Sequence, residues 1–326
     1  MGAQKIKTIG VLTSGGDSPG MNACIRAVVR AGIANGMKVK GIERGYAGLL
    51  NEEIRDMDRR SVSEIIQRGG TILYTARSLE FMSKDGQELG AQICKKHGID
   101  ALVIIGGDGS FRGAAAIAKQ GIKVIGLPGT IDLDIACSDY TIGYDTAVNT
   151  AMEAIDKIRD TSSSHERCSI VEVMGRSAGY IAIACGIATG AEEVLLPETY
   201  DGDEQALVNR LVEDRKKGKK HYLIINAEGV GHSTSMARRI EAATGMETRA
   251  TILGYLQRGG SPTCRDRFLA SLMGVRAVDL LAEGKYNRVV GTKAGQVTDF
   301  DIEEALAMQK SVPSSWERVS KILDQT

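Results

Sequence analysis

The chain has 326 residues, with 41 basic and 41 acidic side chains and no formal net charge. That balance excludes a general nucleic-acid or membrane-surface binder, which needs a strongly basic face, and leaves room for a local basic pocket that takes a small anion. No run is long and apolar enough to span a bilayer, and the length suffices for two domains with separate cores.

In chain order, Ile6 to Leu12 reads as a first strand running into the glycine-rich segment Ser14 to Gly20. Met21 to Ala34 follows as a helix, with Ile25, Val28, Val29 and Ile33 at helical spacing. Met37 to Ile42 is a short strand. Ser61-x-x-Glu64 has the form of a capping box and predicts a short helix, broken at Gly69-Gly70 before an extended Thr71 to Tyr74. Gln87 to His97 is a helix closed by Gly98. Ala101 to Ile105 is apolar without alternation, as in a parallel strand buried on both faces. Gly106 to Ser110 then opens a helix to Lys119. Ile122 to Ile125 is the next strand, expected to stop at Gly126, with Pro128-Gly129 forcing a turn.

The second half repeats this rhythm. Helices are predicted over 146–159, 176–188, 204–217, 235–244 and 265–282, and strands over 168–173, 193–196, 221–226 and 247–253. Alternating strands and helices with short connections imply parallel sheets covered on both faces, an α/β fold class. Met1 to Lys5 lack a signal-peptide core. The cysteines, Cys24, Cys94, Cys137, Cys168, Cys185 and Cys264, are scattered without a Cys-x-x-Cys pair. That usage fits a reduced cytoplasmic protein and no thiol metal site.

Three glycine-rich segments follow predicted strands: Ser14 to Gly20, Gly106 to Gly109, and Gly126 to Gly129. Glycine lets backbone N–H groups approach an anion, and a following helix turns its positive end toward the same place. Together they point to phosphate binding. None has the Walker or dinucleotide spacing. Asp108, between glycines, is either a helix N-cap or a carboxylate for a Mg²⁺ that arrives with phosphates. Asp132 and Asp134, one residue apart, share a face if the backbone there is extended; the alternative is an acidic surface loop. Arg77, Arg167, Arg176, Arg249 and Arg258 sit near strand ends and glycines, and guanidinium suits bidentate phosphate contact. His165 has no local orienting partner in the sequence and reads as structural or surface.

These segments resemble the bacterial ATP-dependent 6-phosphofructokinases over essentially the whole chain. The likeness is carried by Ile9-Gly-Val-Leu-Thr-Ser-Gly-Gly-Asp-Ser-Pro-Gly-Met-Asn22, Gly106-Gly-Asp-Gly-Ser110 and Pro128-Gly-Thr-Ile-Asp132. Asp160-Thr-Ser-Ser-Ser-His-Glu-Arg167, Val173-Met-Gly-Arg176, Glu247-Thr-Arg-Ala-Thr251 and Gln257-Arg-Gly-Gly-Ser-Pro262 extend it. The resemblance implies two parallel-sheet α/β domains with the active site in the cleft between them. One domain would take residues 1–140 plus about 257–308, the other 141–256 plus about 309–326.

It implies transfer of the γ-phosphoryl of Mg·ATP to the 1-hydroxyl of fructose 6-phosphate by a cytoplasmic, glycolytic homotetramer. Asp132 would be the base, with Thr130, Ile131, Asp134 and Arg176 beside it. Gly16, Arg77, Ser78, Gly107, Asp108, Gly109 and Ser110 would take ATP, with Asp108 on Mg²⁺. Met174, Gly175, Arg176 and Glu228 would contact the sugar. Arg167, Arg249, Tyr255 and Arg258 would hold its 6-phosphate, Arg167 and Arg249 reaching in from a neighbouring subunit. Arg26, Arg30, Arg159, Gly190, Glu192, Lys217, Lys219 and His221 would form an allosteric site for ADP and phosphoenolpyruvate. No nucleic acid or membrane partner is implied.

This chain departs from the family pattern at four positions. Leu133 stands where Asn is usual, Tyr255 where His is usual, Met82 where Arg is common and Tyr180 where Asp is common. If the strand alternates, Leu133 faces away from Asp132 and Asp134. Two other readings stay open on sequence alone: another kinase with a Gly-Gly-Asp-Gly loop, and a non-catalytic nucleotide-binding subunit that keeps the fold.

Overall fold

The structure is a computed structural model that describes residues 6–323; Met1 to Lys5 lie outside the described residues. It divides into two compact units. The first takes the chain up to Thr146 together with Arg258–Lys310, and the second takes Ala147–Gln257 and the chain from Ser311 onward.

The first unit is built on a seven-stranded sheet. Its strands are β1 (Thr8–Ser14), β2 (Lys38–Ile42), β3 (Ile54–Met57), β4 (Ala101–Gly106), β5 (Lys123–Pro128), β10 (Arg288–Lys293) and β11 (Gln296–Asp301). Their order across the sheet is β11-β10-β5-β4-β1-β2-β3. The five central strands are parallel, and β3 and β11 pair antiparallel at the two edges. The apolar run of β4 is buried throughout because both faces are covered. Val103 and Ile105 share a core with Ile25 and Val28 of α1 (Met21–Ala34) and Met273 and Leu281 of α9 (Cys264–Ala282). Leu102 and Ile104 share the opposite core with Ile93 of α3 (Lys84–Lys96) and Phe111 and Ile117 of α4 (Asp108–Ala118).

The second unit holds a four-stranded parallel sheet in the order β7-β8-β6-β9. Its strands are β6 (Cys168–Val173), β7 (Glu193–Leu195), β8 (Tyr222–Ala227) and β9 (Thr248–Ile252). Ile170 and Ile224 pack with Leu207 and Leu211 of α7 (Glu204–Lys216) and Met236 and Ile240 of α8 (Ser233–Thr244). On α6 (Tyr180–Thr189), Tyr180 meets Trp316 of α11 (Ser314–Leu323) edge-on at 6.4 Å. The remaining α-helices among the described residues are α2 (Gly45–Leu50), α5 (Tyr144–His165), which carries the chain from one unit into the other, and α10 (Ile302–Ala307).

Four local expectations are corrected. Residues around Ser61 form turns, not a capped helix: Asp58 Oδ1 accepts from Arg60 N, Ser61 N and Ser61 Oγ, and Glu64 takes φ 54°. This side-chain turn draws Ser61 away from the capping role. Thr71 to Tyr74 closes a turn, with Tyr74 N donating to the Thr71 carbonyl at 3.1 Å, and is not extended. β5 does not stop at Gly126 but runs through it to Pro128; a Cβ on Gly126 would press 2.8 Å from the Phe111 ring, so glycine there serves core packing. The helix expected from Arg176 begins only at Tyr180, because Gly175 (φ 144°) and Arg176 (φ 57°) hold non-helical backbone.

Candidate active site

In the first unit, parallel register sets three strand ends side by side: Ser14 of β1 pairs with Gly106 of β4, and Gly106 with Pro128 of β5. The segments that leave these ends are tied together. Ser110 Oγ donates to the Ser14 carbonyl at 3.0 Å, and Gly129 N donates to the Gly106 carbonyl at 3.0 Å. Gly16 lies against Arg258, where a Cβ would come 3.0 Å from the guanidinium. Register thus brings Gly16, Gly107 to Ser110, Thr130 and Arg258 to one end of the sheet, beyond the carboxyl ends of its strands, where open α/β sheets bind ligands.

Asp108 is the first residue of α4, after the N-cap Gly107, which offers no side chain to the helix end. Its carboxylate is half-buried and pairs with Arg112 Nε at 2.9 Å, one turn along. Among the described residues, no atom beyond its chain neighbours and its own helix backbone lies within 4 Å of a Cβ on Gly109, so the helix N-terminus is open on that side. Among the described residues no group of three or more His, Cys, Asp or Glu is placed to hold a metal ion. One carboxylate at an open, glycine-lined helix start fits a Mg²⁺ that brings most of its oxygen ligands with a polyphosphate. Arg77 is exposed and Ser78 half-buried, with Ser78 Oγ accepting from Phe81 N at 3.3 Å.

From Pro128 the chain makes an excursion and returns at Ile142, which bridges to Gly129. Thr130 and Ile131 are buried, and Asp132 N donates to Thr130 Oγ1 at 3.2 Å. The expectation of an extended segment fails here: Leu133 adopts φ 57° and is 3% exposed. Asp132 and Asp134, both half-buried, therefore flank a left-handed residue and not a strand residue. The alternation that would turn Leu133 away from both acids is absent, and the side chain turns into protein instead.

In the second unit β6 ends at Val173, and the next three residues are fixed from two sides. Met174 N donates to Gln257 Oε1 at 2.7 Å, and Arg176 N donates to Glu228 Oε1, leaving the Arg176 side chain exposed. Arg167 and Arg249 converge on one carboxylate: Arg167 Nε donates to Glu247 Oε2 at 2.6 Å and Arg249 Nη2 to Glu247 Oε1 at 2.7 Å. The hydrogen bond from Arg167 holds the Glu247 carboxyl below its ordinary value, with the charges of Arg167 and Arg249 adding to it. Tyr255 is 78% exposed. His165 Nδ1 lies 3.0 Å from the Thr161 carbonyl within α5, which orients it locally.

Arg159, Gly190, Glu192 and Lys219 also gather in the second unit. Arg159 Nη2 donates to the Gly190 carbonyl at 2.6 Å, and Lys219 Nζ lies 3.3 Å from Glu192 and over the Tyr222 ring. Lys217 pairs with Asp214 at 3.4 Å, and His221 is half-buried. Arg26 and Arg30 belong to α1 in the first unit, half-buried and exposed respectively.

The phosphofructokinase family profile matches residues 8–281. The ATP-dependent 6-phosphofructokinase of Clostridium botulinum is 57% identical over 321 residues, 98% of this chain and 100% of that protein. The ATP-dependent 6-phosphofructokinase 1 of Clostridium perfringens is 57% identical over 311 residues, 95% of this chain and 97% of that protein. This chain belongs to the phosphofructokinase family. Among solved structures, phosphofructokinase from Saccharomyces cerevisiae matches with a TM-score of 0.84 and 35% identity over 98% of this chain. The chain spans 48% of that yeast chain, and 37% of the Pichia pastoris phosphofructokinase chain (TM-score 0.86, 33% identity). A pyrophosphate-dependent phosphofructokinase from Marinobacter aquaeolei, 22% identical with a TM-score of 0.84, shares the fold.

Arg112, Glu247 and Gln257 also hold these segments, beyond the residues to which the phosphofructokinase pattern gives a role. The spacing of Arg112, four residues after Asp108, was a legible signal for its pairing. Glu247 and Gln257 bind their partners across 80 and 83 residues of chain, which no local pattern reveals.

Proposed function

We propose that this protein transfers the γ-phosphoryl group of ATP to the 1-hydroxyl of fructose 6-phosphate, releasing fructose 1,6-bisphosphate and ADP. The observation that carries the reading is the alignment of Ser14, Gly106 and Pro128. It sets a glycine loop, an acidic helix start and the Thr130–Asp132 segment at neighbouring strand ends. Phosphoryl transfer asks the protein for positioning and charge neutralisation more than covalent chemistry.

In this reading the loops at Gly16 and Gly107 to Ser110, with Arg77 and Ser78, bind the nucleotide. Asp108 holds Mg²⁺, which supplies charge neutralisation at the phosphate oxygens when bound. Asp132 accepts the proton of the sugar's 1-hydroxyl. Thr130, Ile131, Asp134 and Arg176 keep that segment and the transferred group in place. Met174, Gly175 and Glu228 contact the sugar, and Arg167, Arg249, Tyr255 and Arg258 take its 6-phosphate. Tyr255 brings a neutral hydroxyl to that phosphate.

The same proposal makes the protein a cytoplasmic homotetramer in which Arg167 and Arg249 serve a neighbouring subunit. ADP or phosphoenolpyruvate binds Arg26, Arg30, Arg159, Gly190, Glu192, Lys217, Lys219 and His221. The bond from Arg159 to Gly190 and the pair Lys219–Glu192 support a site on these second-unit residues.

The test is ADP release from ATP with and without fructose 6-phosphate, in the parent and in Asp132→Asn. Sugar-dependent turnover that falls about 100-fold or more in the variant is the expected result. No sugar-dependent turnover in the parent would overturn the reading. Light scattering decides the tetramer, and a monomer that turns over ATP and sugar phosphate removes the shared role of Arg167 and Arg249.

A further inference from the structure

Lys310 follows α10 and is half-buried. Its Nζ donates to the carbonyl of Ser138 at 2.8 Å. Ser138 is itself fully buried and is a knot in the excursion that carries Asp132 and Asp134. Its Oγ donates to the Tyr140 carbonyl at 2.6 Å and accepts from Thr292 N at 2.9 Å. The neighbouring Asp139 accepts from Ala294 N at 2.8 Å and pairs with Lys293 at 3.2 Å. The far side of the excursion is thus stitched to the end of β10, and Lys310, beyond α10, adds a second charged stitch beside the Lys293–Asp139 pair.

The groups around this ammonium are Asp134, Cys137 and Asp139 from the excursion and Lys293 from β10. Burial pushes the Lys310 ammonium down from its ordinary value to about 8; the charges of Asp139 and Asp134 oppose that shift, and Lys293 adds to it. The Cys137 thiol is pushed up to about 11, chiefly by burial, and stays neutral near pH 7. A lysine kept charged in a place that disfavours charge needs a reason. Asp134 sits two residues from Asp132 across the left-handed Leu133, so two carboxyl groups crowd one short segment, and the half-buried ammonium held on Ser138 feels the charge of Asp134.

We propose that Lys310 is a positioning residue for the Asp132–Asp134 segment, gripping it through the Ser138 carbonyl and setting a positive charge within reach of Asp134. The part of this that concerns turnover rests on the proposed function; the coupling of Lys310 to Asp134 does not. A purely structural strut would need only a donor to Ser138, and turnover would not follow the charge of Lys310.

Two measurements separate these. Lysine side chains labelled with ¹³C and ¹⁵N are titrated by NMR, with the Lys310 signal identified by its loss in Lys310→Arg. The expected midpoint is about pH 8, and Asp134→Asn moves it down by about half a pH unit or more, because a neighbouring negative charge is removed. In kinetics, Lys310→Met lowers kcat about tenfold or more while KM for ATP stays within about threefold, as a misplaced segment should. The parent loses kcat as pH rises through about 8, whereas Lys310→Arg retains most of the parent kcat and stays flat there, since guanidinium does not titrate. A Lys310 midpoint that ignores Asp134→Asn, or a kcat in Lys310→Met within twofold of the parent, overturns the proposal. An inactive parent would instead sink the functional reading, and the NMR titration, which needs no turnover, still decides the coupling.

Discussion

The Nε of Arg167 lies 2.6 Å from Glu247 Oε2, and Glu247 Oε1 takes Arg249 at 2.7 Å. One carboxylate thus aims two guanidinium groups that the functional reading assigns to a sugar phosphate. β6 and β9 set the spacing, since Ser169 pairs with Arg249 and Cys168 with Thr248. Glu247→Ala leaves both arginines without that guide. The expected result is a KM for fructose 6-phosphate raised about 3- to 30-fold with kcat changed much less, an orientation effect of ordinary size. An unchanged KM would show that the arginines orient without Glu247.

Leu133 links the sequence departure to the backbone. It occupies φ 57°, a region that asparagine enters several-fold more readily than most residues and that bulky residues seldom adopt. Leu133→Asn relieves backbone strain of about 1 kcal/mol but removes an almost fully buried apolar side chain, at a cost of roughly 2 kcal/mol. We expect a net loss of about 1 kcal/mol in urea melts, with kcat within about threefold of the parent because the left-handed turn is kept. A kcat drop above tenfold would mean that the leucine itself shapes the site around Asp132.

Most parallel strands were legible because a β4 or β6 buried on both faces must be apolar without alternation; the parallel β10, Arg-Val-Val-Gly-Thr-Lys, was missed because its apolar run is only Val289-Val290. What escaped was short, polar or bound at long range. β3, Ile-Arg-Asp-Met, is a half-exposed edge strand of 4 residues, and β11 alternates weakly among polar side chains. The Ser61 turn was hidden because Asp58, three residues earlier, competes for the same hydroxyl. At the site, the glycine loops and Asp108 could be read from their order along the chain. The left-handed turn between Asp132 and Asp134 could not, because leucine carries no local signal for positive φ. Glu247 and Lys310 act through partners 80 and 172 residues away, which only the folded sheets bring together.

The choice of phosphoryl donor bears on two glycines that differ in their surroundings. Among the described residues, a Cβ on Gly109 meets no atom within 4 Å beyond its chain neighbours and its own helix backbone, whereas one on Gly129 would sit 2.8 Å from Ile105 Cγ2 and 3.2 Å from Met21 Cε. Glycine at 129 is therefore required by the core, beyond any part it has in leaving space for a nucleotide. Gly109→Asp should fold normally and raise KM for ATP, because a second carboxylate beside Asp108 repels the phosphates by roughly 1–4 kcal/mol. Gly129→Lys should lose about 1–3 kcal/mol of stability through overpacking. The assay compares ATP with pyrophosphate at matched free Mg²⁺, and ATP is expected to have the larger kcat/KM in the parent. A larger value with pyrophosphate would reverse the donor assignment and leave the fold untouched.

Asp266 supplies a pH dependence whose sign is fixed by its setting. It is fully buried in the first turn of α9, and its carboxylate accepts from Gly143 N and Thr146 N, both at 2.8 Å, at the start of α5. Burial raises its pKa to about 6, with the donated hydrogen bonds pulling the other way. The unfolded chain should show the ordinary value of about 3.9. Between these values the folded protein binds the proton that the unfolded chain releases. The stability contributed by this titration is therefore full below about pH 4 and is lost as pH rises through about 6. Asp266→Ala abolishes the titration and strands the buried donors at the α5 start. At pH 7 it should lose about 2–4 kcal/mol from missing hydrogen bonds and cap. As pH falls from 6 toward 4 the parent gains the proton linkage that the variant lacks, so their difference should widen by on the order of 2–3 kcal/mol. Urea melts of both proteins across that range measure the gap directly. A difference that stays constant with pH would mean that Asp266 remains ionised on its donors Gly143 N, Thr146 N and Thr146 Oγ1 and that its burial is fully offset by them.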